Sequence, residues 1–231
     1  KERHEAWENL ARKLAHEIKN PLTPIQLTID RLKSKYSEKI EDNEKDDFSK
    51  SLLIIGKQIK QIENLVNEFS DFARMPKPIL KDNNLVSLIE DSIILTNEFD
   101  KKITISFKMS KSNIPLNSDS EQLSRVFFNL IKNSIESIQD KRIDIVDLIG
   151  KIDISIDENM ENIKFIIIDN GLGFGKFADN IKDILNPYFT TKKEGTGLGL
   201  SIVNKIINDH NGKINFASLN NGAKIEIIFK K

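Results

Sequence analysis

Chemistry in this chain of 231 residues concentrates at one histidine and at one cluster of glycines. His16 stands in Leu14-Ala15-His16-Glu17-Ile18-Lys19-Asn20-Pro21-Leu22, with a carboxylate beside it and an amide four residues on. A neutral imidazole is a nucleophile and base, and a neighbouring carboxylate can orient it and take its proton. On a helix, Asn20 would share the face of His16. The chain holds ten glycines, and six of them fall between positions 171 and 199. They form Asp169-Asn170-Gly171-Leu172-Gly173-Phe174-Gly175 and Gly195-Thr196-Gly197-Leu198-Gly199-Leu200. Such glycines let backbone amides close on a ligand, which is how loops cradle phosphates. The first group follows the run Phe165-Ile166-Ile167-Ile168 and so places Asp169 at a strand end. The second precedes an apolar helical run, which adds a helix N-terminus facing the same anion. Upstream, Asn129 and Asn133 are four apart and would present two amides on one helix face.

These groups need elements to hold them, and two regions of different periodicity supply them. Ala11, Ala15, Ile18, Leu22, Ile25, Ile29 and Leu32 are spaced alternately four and three apart. Phe48, Leu52, Ile55, Ile59, Ile62, Val66, Phe69 and Ala73 repeat the pattern. Both are heptad seams of helices that pack at shallow angles. His16 lies off the first seam, and Pro21 is expected to kink that helix just beyond it. The polar stretch 34–47 reads as a solvated turn with frayed helix ends. One hairpin leaves much apolar surface uncovered, so two should pair into a four-helix bundle as a homodimer.

Met75-Pro76-Lys77-Pro78 stops the second helix and holds the chain extended. It divides an expected first domain, 1–77, from a second, 78–231. In the second, residues 103–109, 151–157, 163–168, 213–216 and 224–229 are short, Ile-rich and mostly alternating, as strands are. Helical patterns fit 85–97, 121–138 and 198–209. The expected fold class is thus α + α/β, a helical hairpin followed by a sandwich of one sheet covered on one face by helices.

Bulk properties exclude several function classes. Thirty-five basic residues balance thirty-five acidic ones, so no basic surface calls for nucleic acid. With no cysteine there is no disulfide framework, thiolate zinc site or cysteine nucleophile. No stretch has the roughly 20 apolar residues that span a bilayer. The start lacks an initiator Met and an apolar signal segment, so the chain reads as an excised cytosolic piece whose membrane anchor would lie upstream. The glycine pattern is neither a Walker loop nor a Rossmann fingerprint, because no Gly-Lys-Ser/Thr follows and the second group follows a loop. Of the remaining histidines, His4 lies near an end and His210 sits in the helix-ending turn Asp209-His210-Asn211-Gly212, a structural setting.

Taken together, the blocks resemble the ATP-binding domain shared by histidine kinases, Hsp90, MutL-type proteins and type II topoisomerases. Asn129-Leu130-Ile131-Lys132-Asn133 resembles the asparagine block, where the resemblance gives Asn133 the magnesium that bridges the ATP phosphates and puts Asn129 close by. Asp169 matches the carboxylate that accepts a hydrogen bond from the adenine amino group, with Gly171 and Gly173 shaping that wall. Pro187-Tyr188-Phe189-Thr190-Thr191-Lys192 resembles the lid block, which brings in Phe189 and Thr191. Gly195, Thr196, Gly197, Leu198 and Gly199 match the second glycine block around the phosphates. Ser134 stands where alanine is commoner and, being small, is expected to have no consequence.

The His-Glu-x-x-Asn-Pro string resembles the phosphoacceptor block of histidine kinases, and it sets the chain apart from Hsp90-like and MutL-like ATPases. The resemblance implies an ATP-dependent protein histidine kinase of a two-component system. His16 would receive the γ-phosphoryl group from Mg-ATP, Glu17 would orient the ring and accept its proton, and a receiver aspartate of a response regulator would take the group on. Asn20 would position water for the reverse, phosphatase reaction. The strings Asn20 to Leu27 and Phe72-Ala73-Arg74-Met75-Pro76-Lys77-Pro78 resemble the NtrY type of nitrogen-related sensor kinase. That subtype implies a bacterial inner-membrane parent and an NtrX-like regulator. Two alternatives stay open at this point: an ATPase or serine kinase with the same pocket, and a non-catalytic dimeric scaffold.

Overall fold

A computed structural model describes residues 2–73, 75–175, 184–185 and 197–231. Among the described residues the chain falls into two compact units, residues 2–73 and 75–76 with 197–198, and residues 77–175 with 184–185 and 199–231.

The first unit is a helical hairpin. Helix α1 spans Glu2–Tyr36 and α2 spans Asp42–Ala73. The turn is shorter than the polar stretch 34–47 suggested. Ser37 N–H donates to Lys33 O at 3.2 Å and Ile40 N–H to Tyr36 O at 3.2 Å, which closes the chain around residues 37–41. Pro21 and Pro24 both lie inside α1, which runs through them. The seams divide into two sets. Ala11, Ala15, Leu22, Ile29, Leu52, Ile59, Val66 and Ala73 are buried within the hairpin. Leu22, Ile29, Leu52 and Ile59 form its core, with Leu32 and Phe48 packed alongside. Ile18, Ile25, Ile55 and Ile62 stay 40%, 45%, 45% and 41% exposed. Each of those four sits three or four residues from a buried seam neighbour, on the other flank of the stripe.

The second unit is an α/β sandwich. Its elements among the described residues are β1 (Lys81–Asn84), α3 (Leu85–Thr96), β2 (Ile103–Met109), β3 (Pro115–Ser118), α4 (Ser120–Asp144), β4 (Gly150–Glu158), β5 (Asn162–Asp169), α5 (Gly199–Asp209), β6 (Lys213–Leu219) and β7 (Gly222–Lys230). Five strands form one sheet in the order β2-β4-β5-β7-β6, with β2 parallel to β4 and the rest antiparallel. Strands β1 and β3 make a separate antiparallel pair that sequence patterning did not mark. Period-two burial puts Ile152, Ile154 and Ile156 of β4, Ile163, Phe165 and Ile167 of β5, and Ile225, Ile227 and Phe229 of β7 on one face. Helices α3, α4 and α5 cover that face: α4 packs on α3, α5, β4 and β5. At its centre the Phe127 ring of α4 lies 5.0 Å from that of Phe165, tilted by 46°. The other face carries charge, including the Lys164–Glu226 pair at 3.1 Å.

Candidate functional site

The alternation of β5 builds the site. Ile163, Phe165 and Ile167 point into the helix-covered layer, and Asp169 is the next residue in phase. A carboxylate is thereby carried under α4, where it is only 6% exposed. Such a group must be hydrogen-bonded to be tolerated. Gly171 N–H donates to its Oδ1 at 2.9 Å, and the Ser134 hydroxyl donates to its Oδ2 at 3.1 Å. Burial pushes the Asp169 pKa above the ordinary carboxylate value. The Gly171, Ser134 and Ala223 donors and the Lys141 charge oppose that rise without cancelling it.

The loop after β5 is pinned from several sides. A Cβ at Gly171 would collide with Ser137, whose backbone carbon would lie 2.8 Å away, so only glycine lets the loop pass α4 this closely. Leu172 N–H then donates to Ser137 Oγ at 3.0 Å. Gly173 has φ +71°, a left-handed conformation that L side chains rarely adopt. Lys141, one further turn along α4, donates to Asn170 O at 3.0 Å, Gly171 O at 2.9 Å and the Asn221 side chain. Asn170 in turn accepts from Lys151 N–H at 2.8 Å and donates to Ile149 O at 2.8 Å.

Helix α4 carries Asn129 and Asn133, both half-buried. It begins at the N-cap Asp119, whose Oδ1 accepts from Gln122 N–H at 3.1 Å and whose Oδ2 accepts from Ile79 N–H at 2.8 Å. Helix α5 begins at Gly199, and the Asn133 Nδ2 lies 4.0 Å from where a Cβ on Gly199 would be. Gly197, with φ +69°, and the buried Leu198 lead into that helix. The structure thus brings Asn133, Gly199, Asp169 and Gly171 to the two sides of α4. His210 has the structural role its turn suggested: Asp119 N–H donates to its Nε2 at 3.0 Å, and its Nδ1 lies 2.8 Å from Ile206 O. The left-handed residue of that turn is Asn211, with φ +55°, and not the following glycine. Phe189, Thr191, Gly195 and Thr196 lie outside the described residues.

A cavity of about 550 Å³ is bordered by Lys151, Asp153, Ile168, Asp169 and Asn170, at the end of β5. Asn129, Asn133 and Ser134 do not line it.

In the hairpin, His16, Glu17 and Asn20 are all exposed on α1. Glu17 faces Lys13, with Nζ and Oε1 3.9 Å apart. Both side chains of that pair are well hydrated, so it holds Glu17 only loosely. An imidazole presented to solvent, free of core packing, is open to a reagent brought to it.

Sequence reasoning passed over Ser134, Ser137 and Lys141. Ser134 was expected to be inert, and the structure corrects this, because its hydroxyl bonds the buried carboxylate. A signal for all three was present. They are spaced three and four apart, a polar line along a helix whose neighbours Leu130, Ile131, Ile135 and Ile138 are buried.

Comparison with known proteins gives two family models in succession. Residues 6–78 match the His Kinase A (phospho-acceptor) domain, and residues 118–231 match the histidine kinase-, DNA gyrase B- and HSP90-like ATPase domain. The nitrogen regulation protein NtrY of Azorhizobium caulinodans is 36% identical over 99% of this chain, which spans 29% of that protein. A putative NtrY-like sensor histidine kinase of Rickettsia prowazekii is 36% identical over 97% of this chain, which spans 36% of it. The chain therefore spans about a third of the length of the curated relatives it matches. Among solved structures, the histidine kinase ThkA, crystallised with the response regulator protein TrrA, superposes with a TM-score of 0.68 at 27% identity, covering 100% of this chain and 63% of that one.

Proposed function

This chain belongs to the sensor histidine kinases, and from that premise we propose that it moves the γ-phosphoryl group of ATP to His16 and then to an aspartate of a response regulator. The observation that supports this most is a pairing within one chain. An exposed histidine stands on a phosphoacceptor-type hairpin, and a buried carboxylate stands at the floor of an ATPase-type sandwich. A scaffold without catalysis would have no use for an acidic group kept under a helix at the cost of its hydration.

The division of labour is as follows. Asp169, an acceptor held by Gly171 and Ser134, takes the amino group of the nucleobase. The glycines 195, 197 and 199 and the first turn of α5 take the phosphates. Asn133, beside Gly199, offers an amide oxygen of the hard type that Mg²⁺ accepts alongside phosphate oxygens and waters, with Asn129 one turn away. A magnesium ion there would neutralise charge on the β- and γ-phosphates and hold them for in-line transfer. By resemblance Phe189 and Thr191 fall in the lid block, and Thr196 and Leu198 in the glycine block around the phosphates. A ring nitrogen of His16 attacks the γ-phosphorus as the bond to the β-bridging oxygen breaks, and ADP leaves. Glu17 takes the imidazole proton, swinging from Lys13 to do so. Asn20, one turn on, positions water for dephosphorylation of the regulator.

The half-exposed seam of Ile18, Ile25, Ile55 and Ile62 supports a homodimer, in which a second hairpin covers it to complete a four-helix bundle. By its likeness to NtrY and NtrY-like proteins, the partner we propose is an NtrX-like regulator and the parent a membrane-anchored bacterial protein. None of the described helices is itself long and apolar enough to cross a membrane. The division into residues 1–77 and 78–231 separates the acceptor and the ATP-binding functions at Pro76-Lys77-Pro78.

Incubation with ATP labelled in the γ-phosphate tests the proposal. The chain should acquire label that is lost in acid and retained in base, and His16→Gln should acquire none. Acid-stable label, or label that survives His16→Gln, would point to a serine kinase instead.

A further inference from the structure

We propose that Ser134 is a specificity-determining positioning residue: by donating its hydroxyl to Asp169 Oδ2, it fixes that carboxylate as a hydrogen-bond acceptor and so tunes the pocket to adenine over guanine. This rests on the reading of Asp169 as the nucleobase receptor.

The geometry carries the inference. Ser134 is buried on α4, and its donor distance to Asp169 Oδ2 is 3.1 Å. Gly171 N–H takes Oδ1 at 2.9 Å from the opposite side, so the carboxylate is gripped at both oxygens and its plane is set. Ala223 N–H is a third donor to this carboxylate, and of the four lone-pair sites on its two oxygens one is left for a ligand. Two facing donors favour the ionised carboxylate, which accepts and cannot donate. Adenine presents an exocyclic amino donor to such a group, and guanine presents its O6 acceptor at the same place. A protonated Asp169 would lose this discrimination, because its O–H could serve O6.

Burial already pushes the Asp169 pKa up, and the Ser134 bond is one of the interactions that restrain it. Removing the hydroxyl lets the carboxyl take a proton at higher pH. A nearby alanine-sized residue would fill the site equally well in volume, so the effect belongs to the hydroxyl. Ser137 provides the contrast, since its hydroxyl accepts from Leu172 N–H and does not touch Asp169.

The test compares Mg-ATP and Mg-GTP binding by the full chain, Ser134→Ala, Asp169→Asn and the double variant, across a pH series. Ser134→Ala is an isosteric truncation inside a helix that alanine favours, so the fold should persist, and circular dichroism checks it. At neutral pH it should weaken ATP binding about 3- to 10-fold, the loss expected for one hydrogen bond to a charged group relayed through its partner. The ratio of variant to wild-type Kd should grow on acidification, where the protonation of ATP itself cancels between the two proteins. GTP binding should stay level or improve, and Ser134→Ala should add nothing in the Asp169→Asn background. Equal loss for ATP and GTP with no pH dependence would reduce Ser134 to packing and overturn the proposal. So would unchanged ATP binding in Ser134→Ala while Asp169→Asn binds none. A wild-type chain that binds no ATP would instead sink the nucleotide reading of the site, and this proposal with it.

Discussion

The helical hairpin and the α/β sandwich both bury isoleucine and leucine, but to different degrees of completion. In the sandwich, Ile152, Ile154, Ile163, Phe165, Ile167, Ile227 and Phe229 are sealed under three helices, with at most 1% exposure. In the hairpin, Leu22, Ile29, Leu52 and Ile59 close against the facing helix while Ile18, Ile25, Ile55 and Ile62 stay open. A sheet with one covered face completes its core within one chain, whereas two helices meet along one line and leave the flanks of their apolar stripes open. The difference bears on function. The complete region holds a buried carboxylate, Asp169, and the incomplete one leaves an apolar flank open and presents His16 to solvent; in the proposed function these are the recognition group and the phosphoacceptor.

Three perturbations sharpen that contrast. The largest effect is expected from charging the open flank. Ile55→Asp with Ile62→Asp should convert a dimer to a monomer in sedimentation equilibrium and make hairpin melting independent of protein concentration, with the sandwich transition unmoved. A dimer that survives both changes would place the interface elsewhere. Next is Phe165→Ala, which removes a sealed ring packed against Phe127 and should cost about 3–5 kcal/mol of sandwich stability in denaturant titrations. Dimerisation should persist in that variant.

The smallest is Asp119→Ala, which deletes the cap of α4 and should cost about 1 kcal/mol. Burial alone would raise the Asp119 pKa. The Ile79, Gln122 and Glu121 N–H groups and the nearby His210 hold it below the ordinary carboxylate value. A depressed carboxylate lends stability that is present above its ordinary pKa and is lost as pH falls through the folded value. The gap between wild type and Asp119→Ala should therefore close on acidification, and a gap that widens would contradict this capping account.

Much of this was legible in the chain because it rests on period. Heptads in 11–32 and 48–73 marked α1 and α2, and alternation in residues such as Lys151-Ile152-Asp153-Ile154 marked the main strands. The Ile-rich run also put Asp169 at a strand end, while its turn toward the helix side is seen in the structure. Strand β1, Lys81-Asp82-Asn83-Asn84, was not legible, because it has no apolar residue and exists through pairing with β3. Helix α4 runs past Ile138 to Asp144 for a tertiary reason. Lys141 is tied to the loop after β5, and Arg142 is tied to Asp100 at 2.5 Å and to Leu148 O at 3.0 Å. The division of each seam into a closed and an open half was hidden as well, since the residues of both halves are alike and only the hairpin geometry tells them apart.

The central claim is that the sandwich delivers a phosphoryl group and the hairpin receives it at His16. Phosphopeptide mapping under alkaline conditions, after reaction of the chain with Mg-ATP, tests it most directly. The account predicts one acid-labile phosphate, on the imidazole of His16, absent when Asp169 is changed to Asn. Phosphate on a serine or threonine, or on His16 in equal yield from Asp169→Asn, would contradict it.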